Sequence, residues 1–461
     1  MSHRARSPST ALRPTRRALL AGLGAGAASA FGLARLARAD APPPSGTAVL
    51  LCFFPGGWDQ LLLLDPRDPS RFTASEAART RIDPRYDELV GLGYRPELVR
   101  PRAAPAMVLG PLAERPGAAV QLTDFAGRMA VVRGVDMRSV SHEVATRYFL
   151  TTEFPRGSLA QGSSVSTTLT ALARPARPVA HLSLGVESYN DRHPSRWSAL
   201  RVTSADDLLA TLCPAGAVDP VLADALDAYA REARADVYNR RGLVDRLQGA
   251  RAVARGLDRD DVSRPFRALV DDGPENDALR ARFGISRGDF DGPRARAAMA
   301  ALALTSGLSQ VVIASVAPAM DTHFVGNAGH ARLLGEGLDA FVALLDALRT
   351  TAHPEGGSHL DHTTVLAFSE FARTPLYNTY GGRDHHSAGS CLLLGRGVRG
   401  GVVAGATSDV GMVAVPWDLT RGGASPSGTV LTPAHVAATV AAAAGLDPTA
   451  FDAPPISQVL V

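Results

Sequence analysis

Four short apolar runs along the chain each give way to a cluster of carboxylates, imidazoles or hydroxyls, and this alternation predicts most of the fold. Residues 48–54 lead into Gly56, Gly57, Trp58 and Asp59. Residues 129–135 lead into Ser139, Ser141, His142 and Glu143. Residues 311–316 lead into Asp321 and His323. Residues 364–369 lead into Glu370 and Arg373, and Gly381, Gly382, Arg383, Asp384, His385 and His386 follow. Short runs rich in Val and Leu read as strands buried on both faces of a sheet. In an open α/β sheet the ligand site lies outside the carboxyl ends of the strands. The polar clusters therefore mark one edge of an α/β sheet.

Between these runs the pattern changes to helical spacing. A helix is expected directly after His142, an Ala-rich one over residues 294–308, another over 337–348, and a last one over 434–444 with Gly445 as its C-cap. Residues 179–184 and 391–394 read as further strands, and the Gly-rich stretch 395–401 as a turn. Residues 65–128, rich in Pro, Arg and Asp, read as a loop-and-helix insertion over the strand edge. Residues 205–285 read as a mostly helical insertion, with apolar residues at three and four spacing over 221–253. The expected organisation is an N-terminal leader, residues 1–39, and one domain over residues 40–461.

The leader changes the charge picture. The chain of 461 residues is 46% hydrophobic and 20% charged, an ordinary globular composition with a formal net charge of +3. Residues 1–39 hold seven Arg and no acidic residue, so the remainder carries 41 basic against 45 acidic side chains. That balance gives no electrostatic pull toward nucleic acid. Arg16 and Arg17 precede a weakly apolar stretch rich in Ala, Gly and Leu, and Ala37, Arg38 and Ala39 follow as an A-x-A pattern. This reads as a twin-arginine signal peptide, with the Tat export machinery as partner and a periplasmic or secreted destination. No stable membrane span is expected after cleavage. Cys52, Cys213 and Cys391 have neither zinc-ligand nor redox spacing.

The clusters carry the candidate chemistry. Asp321 and His323 alternate, so an extended segment sends both side chains to one side, either as two ligands of one metal or as an Asp turn beside a solvated His. Glu370, at the end of a buried strand, needs a partner, which a metal or Arg373 could supply. Asp384, His385 and His386 cannot all face one point; one His supported by Asp384 is the economical arrangement. Ser141, His142 and Glu143 stand at an expected helix start. There a hydroxyl could be a metal-activated nucleophile or a simple N-cap. Asp59 is either a metal ligand or the cap of a turn. The other histidines, His353, His359 and His362 among them, lack comparable context.

Taken together, these motifs resemble the exported bacterial proteins grouped as domain of unknown function 1501. The resemblance rests on Gly56 to Asp59, Ser141 with His142, Asp321 to His323, Ser369 to Pro375 and Gly381 to His385, and it runs from about residue 47 to about 406. Ala372 departs from the Gly usual in the fourth motif. That family is similar in turn to the alkaline phosphatase and sulfatase superfamily. This implies a mixed, mostly parallel sheet sandwiched by helices, with a divalent metal (Zn, Mn, Mg, Ca or Fe) at the strand ends. The implied metal-site residues are Asp59, His142, Asp321, His323, Glu370, Asp384 and His385 or His386. Ser141 falls near the nucleophile position, with Arg373 as a second catalytic candidate. The expected function is an exported metal-dependent hydrolase of phosphate or sulfate esters. The alternative is a non-catalytic exported binding or assembly protein with a vestigial metal site. The sulfatase motif is missing, and no His follows Glu370.

Replacing Arg16 and Arg17 together by Lys is expected to block export. Fractionation of the producing cells should then find uncleaved precursor in the cytoplasm, and unchanged export would show that another route is used.

Overall fold

The computed structural model describes residues 47–212, 225, 228 and 259–461. The leader, Cys213 and most of the expected helical middle lie outside the described residues. The chain divides into two units. One comprises residues 1–37 and 216–257. The other comprises residues 38–215 and 258–461 and holds all the elements below.

A nine-stranded sheet forms the centre of that larger unit, in the order β11-β10-β2-β9-β6-β1-β5-β3-β4. The strands are β1 (Ala48–Phe53), β2 (Met129–Asp136), β3 (His181–Leu184), β4 (Leu200–Val202), β5 (Val311–Ser315), β6 (Thr363–Phe368), β9 (Ala388–Gly395), β10 (Val402–Thr407) and β11 (Ala414–Val415). Two short strands, β7 (Ala372–Arg373) and β8 (His385–His386), pair apart from it. β1 pairs in parallel with β5 and β6. β9 runs antiparallel to both β2 and β6. The sheet is thus mostly parallel, as the apolar runs suggest.

Successive residues of β1 feed opposite faces. Leu50 and Cys52 join one apolar core, and Val49, Leu51 and Phe53 the other. On the first face lie the helices α3 (Ala205–Leu212), α4 (Arg259–Val270), α5 (Pro274–Phe283), α6 (Pro293–Thr305) and α7 (Asn327–Thr350). On the second lie α1 (His142–Thr151), α2 (Val165–Ala173) and α8 (Pro433–Ala443). Both sheet faces are covered, which explains why the strands read as continuous apolar runs rather than as alternation.

Strand direction then places the chemistry. β1, β2, β5 and β6 share one direction, so the clusters that follow them leave at the same edge. β9 enters the sheet from that edge because it is antiparallel, with Asp136 opposite Ala388 and Phe368 opposite Cys391. The residues just before it, Asp384 to His386, therefore meet those that come after the other strands.

The differences from the sequence reading have local causes. α7 begins ten residues before the expected start, through a segment whose Gly335 and Gly337 weaken its helical signature. Packing overrides that weakness: a Cβ at Gly337 would run into the side chains of Ala317 and Phe54. The insertion over residues 65–128 holds one short helix, Ala77–Thr80, and several 3₁₀ turns. Ser141 stands at the N-cap of α1, but its side chain makes no capping hydrogen bond. No described helix is long and apolar enough to cross a membrane.

Gly337→Ala is expected to destabilise the protein by about 1–3 kcal/mol through overpacking, despite the better helix propensity of Ala. Gly335→Ala should cost less, because its Cβ would meet only the movable end of Arg115. Urea midpoints of the two variants check the order.

Candidate metal centre

The site is built around the carboxylate of Asp321. Its Oδ1 lies 3.0 Å from His323 Nε2, 3.0 Å from His385 Nε2, 3.3 Å from His142 Nε2 and 2.8 Å from Arg373 Nη2. These groups arrive on separate segments: the loop after β5, β8, the first residue of α1, and β7. The alternation of Asp321 and His323 does bring both side chains to one side, while Thr322 turns inward and its hydroxyl meets His330 Nδ1 at 2.7 Å.

Each of the three imidazoles has its Nδ1 committed to a group that can only accept a hydrogen bond. His142 Nδ1 lies 2.7 Å from Glu370 Oε1, His323 Nδ1 2.8 Å from Asp384 Oδ1, and His385 Nδ1 2.6 Å from the Val140 carbonyl. Those acceptors fix the proton on Nδ1 and leave the Nε2 lone pair of the neutral ring facing Asp321. This is the arrangement of metal-bound histidines, whose second nitrogen donates to a carboxylate or carbonyl. His142 Nε2 is buried and has no hydrogen-bond partner. His323 Nε2 and His385 Nε2 stand 2.8 Å apart. Two lone pairs at that distance repel, so a proton or a metal ion belongs between them. His142, Asp321 and His385 offer three donor atoms within 4.8 Å of one another.

The supporting groups are held rigidly. Glu370 is buried; its Oε1 also accepts the Gly56 N–H at 2.8 Å, and Ser369 Oγ lies 3.0 Å from its Oε2. Gly56 has φ +99°, and a Cβ there would collide with the Met320 backbone, so the turn after β1 requires glycine to reach Glu370. Gly382 is equally constrained, against the His323 carbonyl. The buried ring of Phe371 packs under His142 and His385, with centroids 4.7 and 4.3 Å away. Phe149 stacks on Phe368 at 4.1 Å and so seats α1, which carries His142, on the sheet.

Charge follows from these contacts. Burial works to raise the Asp321 carboxyl, but the His385 imidazole and the Arg373 guanidinium beside it outweigh burial and hold Asp321 well below the usual carboxylate range. The Glu370 hydrogen bond raises His142, against burial. Burial lowers His385, and the facing Arg373 adds to the effect. Hydrogen bonds from His323 and Asn378 lower Asp384.

Three of the sequence assignments are corrected. Asp59 does not join the cluster. It is fully buried, its Oδ2 stands 3.0 Å from Arg383 Nε, and its Oδ1 accepts the Leu61 N–H at 2.9 Å. Its carboxylate is thus consumed inside the fold. His386 does not join either: neighbouring residues of a strand face opposite ways, and its Nε2 reaches the Gly411 carbonyl at 2.8 Å. Arg373 is no substrate-facing group. Its side chain is fully buried, and its nitrogens donate to the carbonyls of Gly56, Gly57 and Arg383 as well as to Asp321. It positions Asp321. Glu370 and Asp384 take supporting places behind His142 and His323 rather than direct ones. Asp384 supports His323, not its neighbour His385. Ser141 is exposed at the start of α1, beside His142 and next to the Val140 carbonyl that orients His385.

Two contributors escaped the sequence reading. Arg383 was a spacer between Gly382 and Asp384, yet it is the buried partner of Asp59; the excess of one buried carboxylate over available ligand places is the signal that could have found it. Asn378 donates to both Asp384 Oδ1 and the His323 carbonyl at 2.9 Å, and its place in a Gly-rich loop is a weak signal for that role.

No curated protein matches the chain. A family model described as a protein of unknown function (DUF1501) matches residues 47–451. That span contains the five motifs, the sheet and the whole cluster around Asp321, and the chain belongs to the DUF1501 family.

Proposed function

We propose that this protein is an exported, metal-dependent hydrolase acting on phosphate or sulfate esters. The observation that carries the reading is the convergence of three histidine Nε2 atoms on one oxygen of Asp321, each with its Nδ1 proton tied to an acceptor. His142, Asp321 and His385 would hold the ion directly, with His323 beside them. Three imidazoles and one carboxylate favour a borderline transition ion such as Zn or Fe over Mg, Ca or Mn. A bound divalent ion would polarise an ester oxygen and lower the pKa of a nucleophile next to it.

The chain's own residues supply the rest. The first turn of α1 has no side-chain cap, so its N–H groups are available to an ester oxyanion. Ser141, exposed at that helix start and one residue before His142, is the proposed nucleophile. Phe371 forms a buried floor beneath His142 and His385. Export by the twin-arginine route, which carries folded proteins, suits a site whose metal is loaded before transport.

A second reading, a non-catalytic exported binding or assembly protein, draws on the withdrawal of Arg373. With that guanidinium spent on backbone carbonyls and Asp321, it is not free to grip a transferring phosphoryl group.

Protein purified without chelators is expected to carry divalent metal at this centre, lost in Asp321→Ala and His385→Ala but kept in His386→Ala. Glu370→Gln should weaken the metal by about 10–100-fold, the usual effect of removing an outer partner. Elemental analysis and zinc titration read all four. A His386→Ala protein that loses the metal would contradict the geometry.

Ser141→Ala is expected to abolish turnover with metal content intact, in assays with phosphate and sulfate mono- and diesters. A fully metallated wild type that turns over none of them sinks the hydrolase and leaves the binding reading.

A further inference from the structure

A second group of imidazoles lies at the opposite edge of the sheet, in the strap between α7 and β6. The strap folds back on itself: Ala352 bridges Ser358, the His353 N–H donates to the Gly357 carbonyl at 2.9 Å, and the His359 N–H to the Thr351 carbonyl at 3.0 Å. A 3₁₀ turn follows over His359–His362, fixed by a reciprocal cap between Ser358 and Asp361. In a 3₁₀ turn residues three apart eclipse one another, which puts His359 and His362 on one side. His353 closes over both, 4.8 Å from the His359 ring and stacked at 3.8 Å on His362.

The donors have the polarity of a metal site. His362 Nε2 lies 2.8 Å from the Gly356 carbonyl, which can only accept, so Nδ1 keeps its lone pair. That Nδ1 is 3.9 Å from Glu355 Oε2. An ion at about 2 Å from each ligand fits between them. His353 Nδ1 accepts the Glu355 N–H at 3.2 Å, a long contact that must open before this nitrogen can face an ion. The donor atoms of His353, Glu355 and His362 lie within 4.8 Å of one another. The rings of His353 and His362 lie only 14° from parallel, so binding requires one of these half-exposed rings to turn. Arg177 opposes a cation here, and the Glu355 carboxylate offsets it.

We propose that His353, Glu355 and His362 form a second divalent-metal site, selective for nitrogen-preferring ions such as Zn²⁺, with His359 as the packed wall behind His353. It is separate from the centre at Asp321. The eight residue steps from His362 to Glu370, extended through β6, span roughly 25 Å.

The test is the zinc stoichiometry of the full-length mature protein, by equilibrium dialysis against Zn²⁺ alone at micromolar concentration. The double variant Glu355→Gln/His362→Gln is expected to bind about one equivalent less than the wild type. His353→Ala should lower the affinity of that same equivalent. These positions are partly or fully exposed, so far-UV dichroism should be unchanged. The complementary protein, Asp321→Ala/His385→Ala, should retain the strap equivalent. A Glu355→Gln/His362→Gln protein with undiminished stoichiometry overturns the proposal. The decrement is read against the wild type, so it decides the strap site whether or not the Asp321 centre binds metal.

Discussion

One carboxylate oxygen, Oδ1 of Asp321, has four nitrogens within 3.3 Å, brought by four segments of chain. Arg373 supplies a permanent positive charge and so keeps Asp321 ionised. The three imidazoles cannot all serve it as neutral donors, because their Nδ1 protons are already given to Glu370, Asp384 and the Val140 carbonyl. Either extra protons or a metal ion must fill the gap between those Nε2 atoms. The surrounding structure is organised to keep that gap in place: a buried carboxylate behind one ring, a loop carboxylate behind another, and a backbone carbonyl behind the third.

Two guanidiniums are buried here: Arg373, which holds Asp321, and Arg383, which pairs with Asp59. An unpaired charge in the interior is expensive, and each is therefore saturated. Arg373 is absorbed by the carbonyls of the Gly56–Gly57 turn, and Arg383 by Asp59, Asn327 and the carbonyls of Asp83 and Thr374. Burial raises the Asp59 carboxyl while Arg383 opposes that rise. His330, whose Nε2 accepts the Asp59 N–H at 2.9 Å, is pushed down to about 3 by burial and the two arginines, and so stays neutral. The motif residues nearest the site thus divide into those that face the gap and those that neutralise the charges beneath it.

That division is what the sequence could not show. The strands that precede the polar clusters were legible because both faces of the sheet are covered, which leaves a run such as residues 48–54 apolar throughout, whereas β4, β10 and β11 were not read. Their shared direction was legible from the polar clusters at one end of each. Asp321, His323, His142 and His385 were legible as chemistry-bearing residues at that edge. Yet Asp59 and Asp321 are both carboxylates after buried strands, and only packing decides which meets Arg383 and which meets histidines. His385 and His386 are indistinguishable by type, and the β7–β8 pairing selects between them. His353, His359 and His362 lacked context in the sequence because the strap that folds them together depends on Gly356 and Gly357 at positive φ and on a hairpin closure that leaves no periodic trace.

The antiparallel entry of β9 is the step that turns four strand ends into a closed site. Had β9 run parallel to its neighbours, Asp384 to His386 would lie at the opposite edge, and His323 would lose its carboxylate support. Because Arg373 pairs with His385 across β7 and β8, the segment after β6 and the segment before β9 are locked in register. His385 is therefore set by the same ladder that carries the guanidinium holding Asp321. Imidazole and counter-charge cannot shift independently, which makes the geometry of the gap a property of strand pairing rather than of loop conformation.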